Sequence, residues 1–322
     1  MSETGIGNNI YIRGIGSGIN PGVEQSSAMF VDGIHYGRGQ LYRAPIFDMQ
    51  RVEVLRGPQS ILFGKNAISG AISVLTAQPT DEFEGSISAL YEPDHEEQEV
   101  TLVLSGPFSE SFAGRLAVRK RDMAGYIKNP NLGADEPDRD ELTIRGTLRW
   151  DVTDRLEASL KYERNEFDVT GRQVEIIDDV YMFPGPIPTN PLGVPYSDLL
   201  VLAFGQDPTS LNVSQDYVRS SNGDFSNNET DNVTLTLNYD FANDVTLTAV
   251  SGYLEYEFAE VCDCDFSSAV VLDAPLFEDY DQFSQELRLT SPGGDKVDWI
   301  VGAFYQTNEQ SSPDVTSFPS NS

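Results

Sequence analysis

The two cysteines of this chain are the residues best suited to metal or redox chemistry. Cys262 and Cys264 are separated by one residue, Asp263, in the run CDCD. Metal sites built from paired cysteines usually have two residues between the thiols and a second pair or histidines nearby. The only histidines, His35 and His95, lie far away in the sequence. We therefore expect a surface loop with free or oxidised thiols, and we expect no metal site.

The glycine-rich stretch GIGSGINPG at 14–22 has the composition of a phosphate-binding loop. It lacks both the G-x-G-x-x-G spacing and the G-K-[ST] ending that such loops use. No serine–histidine–aspartate set stands out, and acidic residues are too frequent for a carboxylate pair to be informative. The sequence therefore predicts no catalytic residue and no cofactor, so we do not expect an enzyme.

The charge of the chain is strongly negative and unevenly distributed. The 322 residues include 21 Lys and Arg against 51 Asp and Glu, which gives a net charge of -30. Residues 1–79 contain six basic and five acidic residues, and the remainder contains 15 basic and 46 acidic residues. Nucleic acid is an unsuitable partner, because binding it requires a basic face. The asymmetry favours two units in different settings, although charge alone also allows a soluble acidic protein.

Residues 1–79 are rich in glycine and contain four short apolar runs, each ending in turn-forming residues. These runs are NIYIRGIG, AMFVDGI, RVEVLRGP and GAISVLTAQP. Each run predicts a short strand, and the segment 45–50 predicts a short helical turn after Pro45. The front of the chain is therefore predicted to be a small mixed α+β unit.

From about residue 83 the pattern becomes a regular alternation. In 142–150, Leu142 and Ile144 share one face, while Thr143 and Arg145 share the other. Period-two alternation over about ten residues is typical of a sheet with one apolar face. Nine segments show it: 83–91, 97–105, 112–122, 140–151, 154–166, 231–240, 245–258, 280–290 and 297–307.

The connections between these segments alternate between two kinds. Short turns at 106–111, 151–154, 241–244 and 291–296 alternate with polar connections at 93–97, 123–139, 167–229 and 259–279. An up-and-down barrel has this arrangement, with turns on one side of a membrane and loops on the other. Aromatic residues near the strand ends also favour a membrane barrel. The pattern alone leaves open a soluble β-sandwich or lectin-like domain with its apolar face inward.

The connection 167–229 is the longest, and loops of such length in folded proteins are usually functional or disordered. It contains aromatic residues suited to gripping a solute. We expect this loop to face outward and to help select a ligand through these residues: Tyr181, Phe183, Tyr196, Phe204, Tyr217 and Phe225.

The segment 51–79, RVEVLRGPQSILFGKNAISGAISVLTAQP, closely resembles the conserved plug segment of TonB-dependent outer-membrane receptors. IYIRGIG (10–16) and MFVDGIHYGR (29–38) resemble further plug stretches, and 283–306 resembles a barrel hairpin of the family. The residues that carry the plug motif include Glu53, Arg56, Gly57, Pro58, Gly64 and Gly70.

This resemblance implies a mainly β fold, with the rear of an α+β plug (1–79, called the plug unit below) before antiparallel, up-and-down transmembrane β-barrel strands (80–322). With about nine strands the barrel would be incomplete, and a signal peptide, a TonB box and the first part of the plug are expected to be missing. The 322 residues alone are therefore not expected to form a closed pore.

The resemblance also implies TonB-dependent uptake of a large, scarce nutrient across the outer membrane of a Gram-negative bacterium, with an iron–siderophore complex as the leading candidate. The implied partners are the TonB complex, reached through the missing N-terminal segment, outer-membrane lipid, and a small-molecule or oligomeric ligand. The rivals are a soluble or surface carbohydrate-binding β-protein and a passive porin-like barrel. The ligand and the oligomeric state stay open.

The motif residues also have physical reasons of their own. Gly57, Pro58 and Gly64 mark turns with special backbone requirements, and Gly70 permits close packing of the following strand. Arg56 carries five donors and a permanent charge. In the family, plug arginines pair with acids of the barrel wall, which would give Arg56 a role in seating the plug. The alternative is an ordinary internal salt bridge.

Overall fold

The computed structural model describes residues 9–17, 24–94, 96–179, 194–294 and 297–312. Its strands form a four-stranded sheet, a nine-stranded sheet and a separate two-stranded hairpin. The helical elements are a 3-10 helix at Gly39–Arg43, α1 at Ser60–Phe63 and α2 at Tyr196–Phe204. Among these residues, no helix has the length and apolar character needed to cross a membrane.

The plug unit is built on the four-stranded sheet, in the order β2-β1-β4-β3. Its strands are β1 (Ala28–Val31), β2 (Ile34–Tyr36), β3 (Met49–Arg56) and β4 (Gly70–Thr76). β1 runs parallel to β4, and the other pairs are antiparallel. Three of the four apolar runs predicted as strands therefore form strands of one sheet.

Two expectations for the plug unit are wrong. In the first apolar run, only an isolated bridge joins Ile12 and Ile15, because Arg13 and Gly14 turn the chain with φ of 54° and 80°. The helical turn after Pro45 is also absent, and the 3-10 helix lies before this proline. Pro45 restricts Ala44 to an extended conformation, with ψ of 132°, which ends the 3-10 helix.

The nine-stranded sheet is called the wall below. It contains all nine predicted strands in chain order, and each strand runs antiparallel to the wall strands beside it. The polar connection before β10 also contains a hairpin of β8 (Ile127–Asn129) and β9 (Ala134–Glu136). The wall strands are β5 (Glu84–Glu92), β6 (Glu97–Ser109), β7 (Phe112–Met123), β10 (Asp138–Thr153), β11 (Leu156–Thr170), β12 (Phe225–Asp240), β13 (Thr246–Asp263), β14 (Asp273–Thr290) and β15 (Ile300–Ser311).

Several wall strands continue beyond their predicted ends into the polar connections, because pairing persists where the apolar alternation stops. β12, for example, begins at Phe225 rather than at 231. At the sheet edges, β5 pairs only with β6 and β15 only with β14 within the described residues. The wall is therefore an open sheet and not a closed barrel.

The wall buries its polar face and exposes its apolar face. On β10, Thr143 and Arg145 are 1% and 3% exposed, whereas Ile144 and Trp150 are 37% and 51% exposed. The same inversion holds on β11, where Lys161 is buried and the neighbouring apolar side chains are exposed. A soluble sandwich would bury the apolar face instead. The arrangement is that of a membrane barrel with a polar interior.

The plug unit lies against the buried face of the wall. Apolar contact between the two is concentrated at β13, where Ile34 packs against Gly252. A Cβ atom at Gly252 would lie 2.3 Å from the Cδ1 atom of Ile34, so a larger residue at this position would displace the buried side chain of Ile34. The wall contributes five buried residues to the shared apolar cluster: Val250, Leu254, Tyr256, Phe258 and Tyr280. Elsewhere the interface is made mainly by polar and charged groups.

Candidate functional site

One group of contacts between plug and wall lies near the end of the wall at which the loop 171–224 joins β11 to β12, called the long-loop end below. Glu278 of β14 accepts a hydrogen bond from the Nη2 atom of Arg38 at 2.7 Å and another from Nε2 of Gln40 at 3.3 Å. The hydroxyl of Tyr256 donates to the same carboxylate. The side chains of Arg38 and Glu278 are 4% and 1% exposed. This cluster ties the 3-10 helix region of the plug to two wall strands.

Further contacts hold the plug against the wall at positions farther from the long-loop end. Asp32, in the β1–β2 turn, accepts from the Nζ atom of Lys161 at 2.5 Å and from the backbone N–H of Thr76 at 2.8 Å. The guanidinium of Arg115 binds Asp48 through two hydrogen bonds, of 2.5 and 3.0 Å. The plug is therefore seated by charged pairs at several heights of the wall.

The glycines of the plug motif occupy backbone positions that favour glycine. Gly57 and Gly64 have φ of 89° and 71°, in the left-handed region. Gly70 begins β4 beside β3, where an added Cβ atom would lie 2.3 Å from the carbonyl oxygen of Leu55. Pro58 follows Gly57 in the turn after β3 and is exposed. The motif therefore fixes the path of the chain from β3 through α1 to β4.

The charged motif residues lie on β3, the edge strand of the plug sheet. Glu53 pairs with Arg51 at 2.9 Å, with both side chains about half exposed. Arg56 is exposed and forms no ion pair within the described part of the chain. Its pairing with an acid of the barrel wall therefore stays a prediction. The plug residues that do bind the wall, Arg38 and Asp32 among them, were not singled out from the sequence.

The predicted loop aromatics that lie within the described residues do not form one cluster. The hydroxyl of Tyr196 donates to the carbonyl oxygen of Asp265, whereas Phe204 is 50% exposed at the end of α2. Tyr217 lies with its ring centroid 6.4 Å from that of Tyr126. Phe225 begins β12. Tyr181 and Phe183 lie outside the described residues. The ligand-binding role of these aromatics stays a prediction.

A buried network of charged side chains fixes the long loop (171–224) at the long-loop end of the wall. The guanidinium of Arg219 binds Glu136 of β9 and Asp224, both at 2.8 Å. Asp224 also contacts Arg172 at 3.1 Å. Arg219 and its two acidic partners are each 3% exposed or less. The loop is therefore held by specific pairs that the sequence did not reveal, because acids are so numerous in the chain.

The two cysteines form a disulfide with each other at the end of β13. The following loop is organised by Asp265, which accepts hydrogen bonds from the backbone N–H groups of Val271 at 3.1 Å and Leu272 at 2.9 Å. Of the two states expected for the thiols, the oxidised one is present. No group of His, Cys, Asp and Glu among the described residues is arranged to hold a metal ion.

His35 of β2 is a buried titratable group within the plug. It is 2% exposed, and neither ring nitrogen has a hydrogen-bond partner among the residues that the structure describes. Burial lowers the pKa of His35 to about 4, an effect partly offset by the nearby carboxylate of Glu24. The imidazole is therefore neutral at physiological pH.

Comparison with known proteins agrees with this geometry. Residues 1–71 match the TonB-dependent Receptor Plug Domain. The chain is 28% identical over 179 residues to the ferric enterobactin receptor PirA of Pseudomonas aeruginosa, covering 46% of this chain and 23% of that protein. It is 31% identical over 135 residues to the pesticin receptor of Yersinia enterocolitica, covering 39% of this chain and 19% of that protein.

Among solved structures, the ferric yersiniabactin uptake receptor FyuA from Yersinia pestis superposes with a TM-score of 0.73 at 20% identity. The match covers 92% of this chain and 42% of that one. Plug motif, polar-faced wall and these relatives point to one class: residues 1–71 belong to the TonB-dependent receptor plug family, and the chain as a whole has the fold of TonB-dependent outer-membrane receptors. Its location is the outer membrane of a Gram-negative bacterium. The chain spans about a fifth of the length of these curated relatives.

Proposed function

We propose that this chain supplies the plug and nine neighbouring wall strands of a receptor for TonB-dependent uptake of a large, scarce nutrient, with an iron–siderophore complex as the leading ligand. The seating of the plug on the polar face of the wall carries this proposal. A sheet with a polar inner face would otherwise leave an aqueous channel. A plug in that channel argues for gated transport and against a passive porin.

The polar character of the interface between plug and wall suits a plug that must move during transport. Charged pairs such as Arg38–Glu278 and Lys161–Asp32 define one resting position. Groups of this kind can exchange their partners for water when the plug shifts, whereas a large apolar interface would expose its surface to water at a cost of about 25 cal/mol per Å². A mechanical pull by the TonB complex on the plug is therefore compatible with this interface.

The names of the relatives favour iron chelates among possible ligands. The ferric enterobactin receptor and the ferric yersiniabactin uptake receptor are similar to this chain, and so is the vitamin B12 transporter BtuB of Vibrio vulnificus, at 29% identity over 130 residues. The outward loops, above all 171–224, and the end of the plug nearest to them would contact the ligand first. Cobalamin is the alternative that these relatives suggest.

The test is accumulation of labelled ligand by cells that differ only in this receptor. Strains with and without the gene would receive iron-55 as catecholate, hydroxamate or carboxylate chelates, or labelled cobalamin. We expect one ligand to accumulate only when both the receptor and TonB are present. Accumulation that persists without TonB would instead indicate a passive pore, and equal accumulation without the receptor would remove the proposal.

A further inference from the structure

The disulfide between Cys262 and Cys264 lies where β13 ends and the loop 264–272, called the short loop below, begins. The Cα atoms of the two cysteines are 5.2 Å apart, whereas residues two positions apart in an extended strand are separated by about 6.7 Å. The crosslink therefore holds the chain in a bend at Asp263. Both cysteines are partly exposed, so a reductant in solution can reach them.

The carboxylate of Asp263 joins two loops. Asp263 lies between the two cysteines and is fully buried, because its side chain points to the opposite face of the chain. Its Oδ1 atom accepts a hydrogen bond from the backbone N–H of Phe266 at 3.1 Å, and its Oδ2 atom accepts one from that of Asn222 at 3.3 Å. Phe266 belongs to the short loop and Asn222 to the long loop. The bend beside the disulfide thus positions an acceptor for both.

Other hydrogen bonds continue this junction between the loops. The Nδ2 atom of Asn222 donates to the carbonyl oxygen of Ala269 at 3.2 Å. The backbone N–H of Ser268 donates to the carbonyl oxygen of Ser210 at 2.7 Å. Both Ser210 and Ala269 are buried. Residues 210–222 of the long loop therefore pack on the short loop, whose path begins at the bend.

The junction also contains charge that favours its opening. Asp263 and Asp265 are both buried, and their carboxylates are close enough to repel each other. The guanidinium of Arg219 offsets part of this repulsion. Each carboxylate would nevertheless be hydrated more favourably in water. Once the crosslink is broken, the chain can return to extended spacing and the carboxylate of Asp263 can turn toward solvent.

We propose that the disulfide of Cys262 and Cys264 is a redox modification site that controls the long loop, with a small dithiol as its reductant. The dithiol supplies two electrons and two protons. The bond between the two Sγ atoms breaks, both cysteines become thiols, and the dithiol closes to its own disulfide. Loss of the crosslink relaxes the bend at Asp263 and releases residues 210–222 from the short loop. The inference does not depend on the proposed transport.

The test is hydrogen exchange of the backbone amides of Asn222 and Ser268 in outer-membrane preparations that contain the receptor. Samples are compared before and after treatment with dithiothreitol, and labelling of two thiols by a maleimide verifies reduction. We expect reduction to raise exchange at both amides at least tenfold, because each loses its acceptor. Exchange in β6 and β7, several strands away from β13, should be unchanged. A heat-modifiable band on a gel verifies that each sample is assembled.

Variants separate the crosslink from the carboxylate. The double variant of Cys262→Ser with Cys264→Ser should show the raised exchange without dithiothreitol and no response to it. Val270→Ser is the matched control, because it changes an exposed position of the same short loop and should keep both the low exchange and the response. Asp263→Ala should raise exchange while the disulfide is intact. Reduction should then add little, since both changes break the same contacts.

The proposal is overturned if dithiothreitol releases no thiols, because the disulfide is then closed to a dithiol. It is also overturned if reduction, or the double serine variant, leaves exchange at Asn222 unchanged. Effects of reduction and of Asp263→Ala that add in full would show that they act through different contacts and would remove the role of Asp263. Should Asp263→Ala fail to assemble, the double serine variant decides, because serine keeps the size and polarity of each thiol.

Discussion

The buried pair of Arg38 and Glu278 offers the sharpest test of how the plug is seated. Arg38→Ala would leave the carboxylate of Glu278, 1% exposed, with Gln40 and Tyr256 as its remaining donors. Both of these donors are neutral. Loss of one partner of a buried ion pair typically costs about 3–5 kcal/mol, because the other charge stays buried. The free energy that keeps this part of the plug packed against the wall should fall by that amount.

Hydrogen exchange of the backbone amides of β1 and β2 in the assembled receptor would measure this loss. At about 1.4 kcal/mol for each tenfold change, protection should fall by about 100- to 4,000-fold. Arg51→Ala is the matched control. Its partner Glu53 is at 2.9 Å but both side chains are about half exposed. Such exposed pairs contribute about 0–1 kcal/mol.

A second substitution tests whether the buried charge is the cause. The double variant of Arg38→Ala with Glu278→Gln no longer has an uncompensated carboxylate, so it should be more stable than Arg38→Ala alone. If Arg38→Ala lowers protection no more than Arg51→Ala does, the pair does not seat the plug. If the double variant loses the sum of both single effects, the explanation by buried charge is refuted.

Three further outcomes follow from the fold. Acidification from pH 7 to 4 should destabilise the plug by about 3 kcal/mol through His35, because the imidazole of the unfolded state takes up its proton first, below about pH 6.5. His35→Phe should remove this part of the pH dependence of the free energy of unfolding. If that free energy varies with pH in the same way in the variant, the prediction is contradicted. Deleting 194–218 should abolish ligand binding and leave a heat-modifiable band, and unaltered affinity would disprove the role of the loop. Arg56→Ala should raise leakage of large antibiotics if Arg56 pairs with the barrel, and unchanged permeability would limit its role to the plug.

The wall could be predicted from the sequence because its signal is local. Alternating residues such as Thr143 and Ile144 must point to opposite faces of a strand, so nine strands and the two faces follow from the period of two. The sequence did not decide which face is buried. Choosing the buried face required knowledge of a polar partner that covers it, and the plug motif implied such a partner.

The plug contacts could not be predicted, because they join distant positions. Arg38 and Glu278 are separated by 240 residues, and a chain with 51 acids offers too many partners for one arginine. α2 was missed for another reason, since its run SDLLVLAF is almost wholly apolar and shows no helical face. Its boundaries did leave a signal: Pro195 precedes it, and Gly205 ends it with φ of 65°.

The spacing of apolar residues in the wall also bears on how such a chain reaches its membrane. Lateral escape from a secretion channel into the inner membrane requires roughly 20 consecutive apolar residues. The wall strands place apolar residues at alternate positions, and the mean hydropathy of the chain is -0.32. Export can therefore run to completion, because the lipid-facing surface exists only after neighbouring strands have paired. Early pairing in the periplasm would create that surface in water and favour aggregation, so holding the strands apart until delivery becomes a task for chaperones.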